Sequence, residues 1–274
     1  MKKVLGYVLI GISLAVIYIF CFTDTNKIAL SVLSVIKSIK GETVNVKDVK
    51  TMDMHYDLVT WDMLLQKHVS LTGQVDYRGF KADHQVLENY LDSLSNFPPA
   101  PSWSQEQSLA YWINAYNAFT IKLIIDNWPV ESIKHLGTTL PFIDSPWDIK
   151  FFKIGGVDFD LNTIEHEILR KQFEEPRIHF AIVCASRSCP NLMNTAYKAD
   201  QIEEQLDKQV HLFINDPSKN MITPDQLELS KIFDWFKMDF TKQGSLSQYI
   251  QAYTKVDIAN AQIAFRDYDW SLND

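Results

Sequence analysis

Cys184 and Cys189 bracket a short polar loop, Ala185-Ser186-Arg187-Ser188, and Pro190 follows directly. Upstream, Ile178, Phe180, Ile182 and Cys184 alternate with His179, Ala181 and Val183, the two-residue period of a strand. Proline suits the first position of a helix, so Pro190 there makes Cys189 the N-cap residue. The positive end of the helix dipole lowers a thiol pKa at that point, and the thiolate is the reactive form. A cysteine so placed serves a hydrolase or acyl transferase when a histidine takes its proton and a third group orients the ring. Cys189 is then the nucleophile, His166 or His179 the base, and Glu165, Asn114 or Asn117 the orienting group. Other readings stand beside it. The cysteines are read equally well as a structural disulfide or as two small buried side chains. They also make a reversible redox pair, although their spacing is wider than the Cys-x-x-Cys of thioredoxin-like proteins.

These groups need elements to hold them. Ser104 with Gln107 makes a capping box, and the helix it opens runs through Leu109, Trp112, Tyr116, Phe119 and Leu123 to Trp128-Pro129. On a 100° wheel Asn114, Asn117 and Ile121 share its second face. Only Ala115, Lys122 and Asp126 lie on a wet arc, as expected of a central helix. Buried there, the two amides must find partners or cost about 1–3 kcal/mol each, whether they brace a loop or serve a reacting group. Lys150–Ile154 and Val157–Leu161 flank Gly155-Gly156, the pattern of a hairpin with a two-residue primed turn. A helix follows from Asn162 or Thr163, with Leu161, Ile164, Ile168 and Leu169 as its apolar stripe. Glu165 falls inside that stripe, so it is paired, with Arg170 or His166, or its pKa is displaced for work. Asp200 and Glu203 form another capping box ahead of Ile202, Leu206, Val210 and Phe213. Short extended pieces are expected near Leu227–Ser230 and Ile263–Phe265.

The 274 residues are 46% hydrophobic and 22% charged, an ordinary globular composition. A net charge of -8 with no basic stripe argues against nucleic acid as the partner. There is no phosphate-binding glycine loop, no Gly-x-Ser-x-Gly elbow and no His-Glu-x-x-His helix. His179 and a cysteine would have to join residues of other elements to make a zinc site, and nothing in the spacing demands it. No metal or cofactor is therefore expected. Lys2 and Lys3 precede an uncharged run from Val4 to Phe22, close to the roughly 20 residues of a membrane-spanning helix. It ends in Ile19-Phe20-Cys21-Phe22, with no small residue for a signal peptidase. The expectation is a single-pass anchor with the domain on the exported side, where disulfides persist.

Several motifs then occur in order. Gly73-Gln74-Val75-Asp76-Tyr77 is followed by Tyr111-Trp112-Ile113-Asn114-Ala115-Tyr116-Asn117-Ala118 and by Ile164-Glu165-His166-Glu167-Ile168-Leu169-Arg170. After them come His179-Phe180-Ala181, Cys184, Ser188-Cys189-Pro190, and Asp234-Trp235-Phe236 with Asp239-Phe240. Together, over about residues 54–272, they resemble the domain-of-unknown-function 547 family. That resemblance implies a bacterial exported or anchored domain, or a plant module fused to others, and supplies no reaction. The expected architecture is α+β: a mostly helical single domain with a small β-sheet that contains the hairpin and the cysteine strand, preceded by one N-terminal transmembrane helix. Residues 1–23 are read as anchor or signal segment, 24–53 as juxtamembrane linker and 54–274 as the domain. The functional expectation is a cysteine-dependent hydrolase or acyl transferase on a peptide-like or envelope substrate. The alternatives are a non-catalytic binding or scaffold module and a thiol–disulfide redox protein using Cys184 and Cys189.

Overall fold

Ser104 begins the helix against which its neighbours in the first half of the fold pack. Its hydroxyl accepts from the Gln107 N–H at 3.2 Å, while the Gln107 side chain accepts from the Ser104 N–H at 2.8 Å. Two otherwise unpaired donors are satisfied reciprocally, and a helix runs from Gln105 to Asp126. The computed structural model describes residues 56–136 and 145–274. Three helices precede this one: α1 (Leu58–His68), α2 (Tyr77–Ala82) and α3 (His84–Asn96), so the central helix is α4. From Leu109 to Ile125 every α4 residue but Lys122 is buried. Ala115, expected on the wet arc, is therefore covered as well. Trp61 of α1 stacks on Tyr90 of α3 with centroids 5.1 Å apart, filling the space beside the α4 face that carries Asn114.

After α4 the chain makes the expected hairpin, β1 (Phe152–Ile154) with β2 (Val157–Phe159), in the register Phe152↔Phe159. Gly155 and Gly156 both have positive φ, as a primed turn requires. Residues Thr163–Leu169 then form a π-helix rather than an α-helix. Past the cysteine loop come α5 (Ile202–Ile214), β3 (Met221–Ile222), β4 (Gln226–Leu229), α6 (Ile232–Trp235), α7 (Lys237–Phe240), α8 (Leu246–Gln251) and β5 (Gln262–Phe265). β3 pairs antiparallel and β5 parallel with β4. This half has its own core, in which Phe180, Phe213, Phe233 and Phe240 meet. The expected capping box at Asp200 does not form, because α5 begins one residue later, with Gln201 as N-cap and no side-chain cap.

Several expectations are corrected. About half of the described residues are helical, not most, and the strands form two separate small sheets rather than one. The cysteine strand is absent. Pro176–Phe180 is a 3-10 helix, opened by a proline at its first turn and by the Glu175 side chain accepting from the Arg177 N–H. Ile178 through Val183 are all buried, so their apolar alternation reports burial on all sides and not one face of a sheet. No helix starts at Pro190 either; the chain stays irregular until Ile202. Among the described residues no helix is long and apolar enough to cross a membrane. The expected anchor at residues 4–22 lies outside the described residues.

The segment that opens the first motif is held to the loop after the cysteines. Gly73 has φ +80°, and a Cβ there would meet Asn191 Cβ at 2.4 Å and Cα at 2.6 Å. The left-handed backbone costs a side chain about 1–2 kcal/mol and overpacking adds about 1–3 kcal/mol. Gly73→Ala is therefore expected to lower the unfolding free energy by about 2–4 kcal/mol in a urea titration. A loss below about 1 kcal/mol would show that Asn191 moves aside freely.

Candidate functional site

The two cysteines are joined as a disulfide. The loop they close is held from three sides. On the first, Asn117 of α4 donates to Ala181 O at 2.9 Å and accepts from the Val183 N–H at 2.9 Å. On the second, the Gln209 amide of α5 donates to Phe180 O at 3.3 Å and to Asn191 O at 2.7 Å. On the third, the last residues of the chain run alongside: the Arg187 N–H donates to Ser271 O at 2.7 Å and the Ser188 N–H to Asp269 O at 3.2 Å. So constrained, Ala185 adopts φ 60°, a conformation that costs a non-glycine residue about 1–2 kcal/mol and that occurs most at functional loops.

The two sulfurs differ in setting. Cys184 is half-buried, whereas Cys189 is 3% exposed. Around the Cys189 sulfur are the Cys184 N–H at 3.1 Å, the Ser186 hydroxyl at 3.2 Å and the Tyr268 hydroxyl at 3.2 Å. Ser186 also lies 3.1 Å from the Tyr268 oxygen. Tyr268 packs against Trp235 and Trp270, and Trp147 meets Trp270 edge-on. Neither histidine is among the partners of this sulfur.

The histidines belong to a second cluster. Asp239 of α7 accepts from Arg170 Nε at 2.6 Å, from Arg170 Nη2 at 3.2 Å and from His179 Nε2 at 2.8 Å. The third Arg170 nitrogen lies 3.0 Å from His166 Nδ1, which must accept because a guanidinium only donates. Phe236 stacks on His179 at 4.0 Å and lies under Arg170. Burial outweighs the Asp239 hydrogen bond and lowers the His179 pKa, so the ring stays neutral at neutral pH. Burial alone would raise the Asp239 carboxyl. Its bonds to His179 and Arg170 win and hold it well below the ordinary carboxylate range.

Glu165 is paired with neither Arg170 nor His166. Its carboxylate, buried as its place in the apolar stripe implies, accepts from Tyr116 OH at 3.1 Å. Asn114 serves structure: it accepts from Trp61 Nε1 at 3.2 Å and the Tyr197 N–H at 3.0 Å, and donates to Tyr197 O at 2.8 Å. Of the six residues singled out in the sequence, Cys189 and Asn117 thus meet at one loop, His179 bonds Asp239 while His166 bonds the Arg170 that Asp239 holds, and Glu165 and Asn114 point to other partners. Tyr268 and Ser186 were missed. The run Asp267-Tyr268-Asp269-Trp270 carried a faint aromatic signal, but no local pattern marks a distant hydroxyl.

Two other places attract notice. A cleft of about 630 Å³, bordered by His68, Asp76, Arg78, Trp128 and Asp274, contains none of these residues. His84, Glu88 and Asp126 bring ligand atoms within 4.8 Å of one another. Lys122 occupies that position instead, its ammonium bonded to Glu88 and 2.9 Å from Asp126.

Residues 100–214 match the family model described as "Protein of unknown function, DUF547". The matched stretch runs from just ahead of α4 to the end of α5 and includes both cysteines; Asp239 and Tyr268 lie beyond it. No curated protein and no solved structure matches the chain.

Proposed function

Proceeding from a chain that contains a DUF547 domain, we propose that its site is a thiol–disulfide exchange centre built on Cys184 and Cys189. One observation carries this reading: the disulfide pairs a half-buried cysteine with a buried one whose sulfur is faced by two donors, the Cys184 N–H and the Tyr268 hydroxyl. Disulfide sulfur is a weak acceptor and thiolate a strong one, so donors fixed around Cys189 favour the reduced pair and make Cys189 the better leaving group. The hydrolase reading needed a free thiol at a helix start beside an imidazole. Here the sulfur is bonded, no helix begins there, and both rings are engaged near Asp239.

The exchange balances with a dithiol polypeptide as the partner. A substrate thiolate attacks Cys184 Sγ, the S–S bond breaks, and its electron pair leaves on Cys189. The second substrate thiol loses its proton and attacks the substrate sulfur of the mixed disulfide, and Cys184 departs as a thiolate that is then protonated. The substrate is oxidised by two electrons and the cysteine pair reduced by two. Such a protein belongs in an exported, oxidising setting.

The full chain, mixed with a reduced two-cysteine peptide and then quenched with an alkylating agent, is expected to yield one oxidised peptide per reduced pair by mass spectrometry. Cys184→Ser should abolish the exchange. Cys189→Ser should leave Cys184 to hold a lasting mixed disulfide with an oxidised peptide. If the bond opens only after the protein has unfolded in urea, it is a structural staple and the redox reading fails.

A further inference from the structure

The last residues of the chain form a strap over the disulfide. Asn273 N–H donates to Ala185 O at 3.3 Å, and Asp269 N–H to the Ser188 hydroxyl at 2.9 Å. The far side of the strap is pinned to the first motif. Val75 N–H donates to Asn273 O at 2.9 Å, and Tyr77 OH to Asn273 Oδ1 at 2.6 Å. Between these anchors Leu272 is buried, and its N–H donates to Glu131 O at 3.1 Å. A segment tied at both edges holds its side chains still. The Tyr268 hydroxyl is aimed at both sulfurs, 3.2 Å from Cys189 and 3.4 Å from Cys184.

We propose that Tyr268 is a catalytic residue of the exchange, its hydroxyl donating to the Cys189 thiolate as that sulfur leaves. This rests on the redox reading of the pair. Ser186 has a single hydroxyl proton; directed at the Tyr268 oxygen, it polarises the tyrosine O–H toward the sulfur, and a chain of two bonds is stronger than either alone. The interaction is weak while Cys189 is in the disulfide and charge-assisted once the sulfur is anionic. It therefore stabilises the reacting state more than the resting one. Burial pushes the Tyr268 pKa up, Ser186 offsets part of this, and the Glu165 charge adds to it, so the hydroxyl remains a donor through neutral and mildly alkaline pH. The titratable groups facing it are Glu165 from the π-helix, Tyr116 from α4 and the two cysteines. The first of these opposes a thiolate, which makes a fixed donor more necessary.

The test uses the full chain, wild type and Tyr268→Phe, equilibrated with dithiothreitol at neutral pH. It adds Cys184→Ser with and without Tyr268→Phe, both carrying Cys21→Ser as well, so that the remaining Cys189 thiolate is titrated by its ultraviolet absorbance. Tyr268→Phe keeps the ring against Trp235 and Trp270 and removes only the hydroxyl. Loss of one hydrogen bond to a charged sulfur is expected to raise the thiolate midpoint by about one pH unit and to shift the dithiothreitol equilibrium about tenfold toward the disulfide. Ser186→Ala should move both in the same direction by less, and it serves if the tyrosine variant does not fold. Unchanged midpoint and equilibrium in folded variants overturn the role of Tyr268 while leaving the redox pair intact. A wild-type disulfide untouched by dithiothreitol in the folded protein removes the redox reading itself.

Discussion

Asp239→Ala is expected to lower the unfolding free energy by about 3–5 kcal/mol, because it strands a largely buried guanidinium and a buried imidazole together. Arg170 loses both bonds from Nε and Nη2, and His179 loses the carboxylate that its Nε2 bonds in a site walled by Phe236 and Phe240. The same cluster makes stability fall in acid, in two steps. His179 has a folded pKa below its unfolded value near 6.5, so the unfolded chain takes up a proton first, and stability declines as pH drops below about 6.5. Asp239 is also depressed, from an ordinary value of 3.8; its contribution is full above that pH and is lost as pH falls further. Urea titrations of wild type between neutral pH and pH 4 should show the first step, and His179→Gln should remove it. A wild-type curve flat across that range would contradict the neutral, buried state of His179.

The second large effect is expected at Asn114. Asn114→Ala removes the partners of three buried groups, the Trp61 indole N–H and the N–H and C=O of Tyr197. At about 1–3 kcal/mol for each unsatisfied group, a loss of at least about 3 kcal/mol is expected. Asn117→Ala orphans two groups, Ala181 O and the Val183 N–H, instead of three, and should cost about two thirds as much. Its additional consequence is local: those two bonds set the entry of the cysteine loop, so Cys184 should be alkylated faster after mild reduction. Equal losses for the two variants, or Asn117 the costlier, would mean that water fills the Asn114 site.

The sequence by itself determined the elements whose signals are local. The Ser104–Gln107 box and the apolar run after it specify α4, because capping and helical periodicity act within a few residues. Gly155-Gly156 specifies the hairpin turn, because few other residue pairs accept positive φ twice in succession. The motif order carried the resemblance to the DUF547 family, although the family model matches residues 100–214 rather than the whole of 54–272. Burial of Asn114, Asn117 and Glu165 was legible too, since each falls among apolar positions at helical spacing.

Tertiary structure decided what those buried groups touch. The run from Ile178 to Val183 reads as a strand by alternation, yet it is enclosed on all sides, and a proline at the start of a 3-10 helix overrides the period. Glu165 meets Tyr116, 49 positions away, a pairing that no helical wheel contains. Arg170 and His179 are drawn to Asp239, far along the chain, and the donors around Cys189 include a tyrosine 79 positions away. Hydrogen bonds and ion pairs act over a few ångströms in space whatever the separation in sequence. Local patterns therefore say which side chains are buried, and only the folded chain says which of them are brought together to do chemistry.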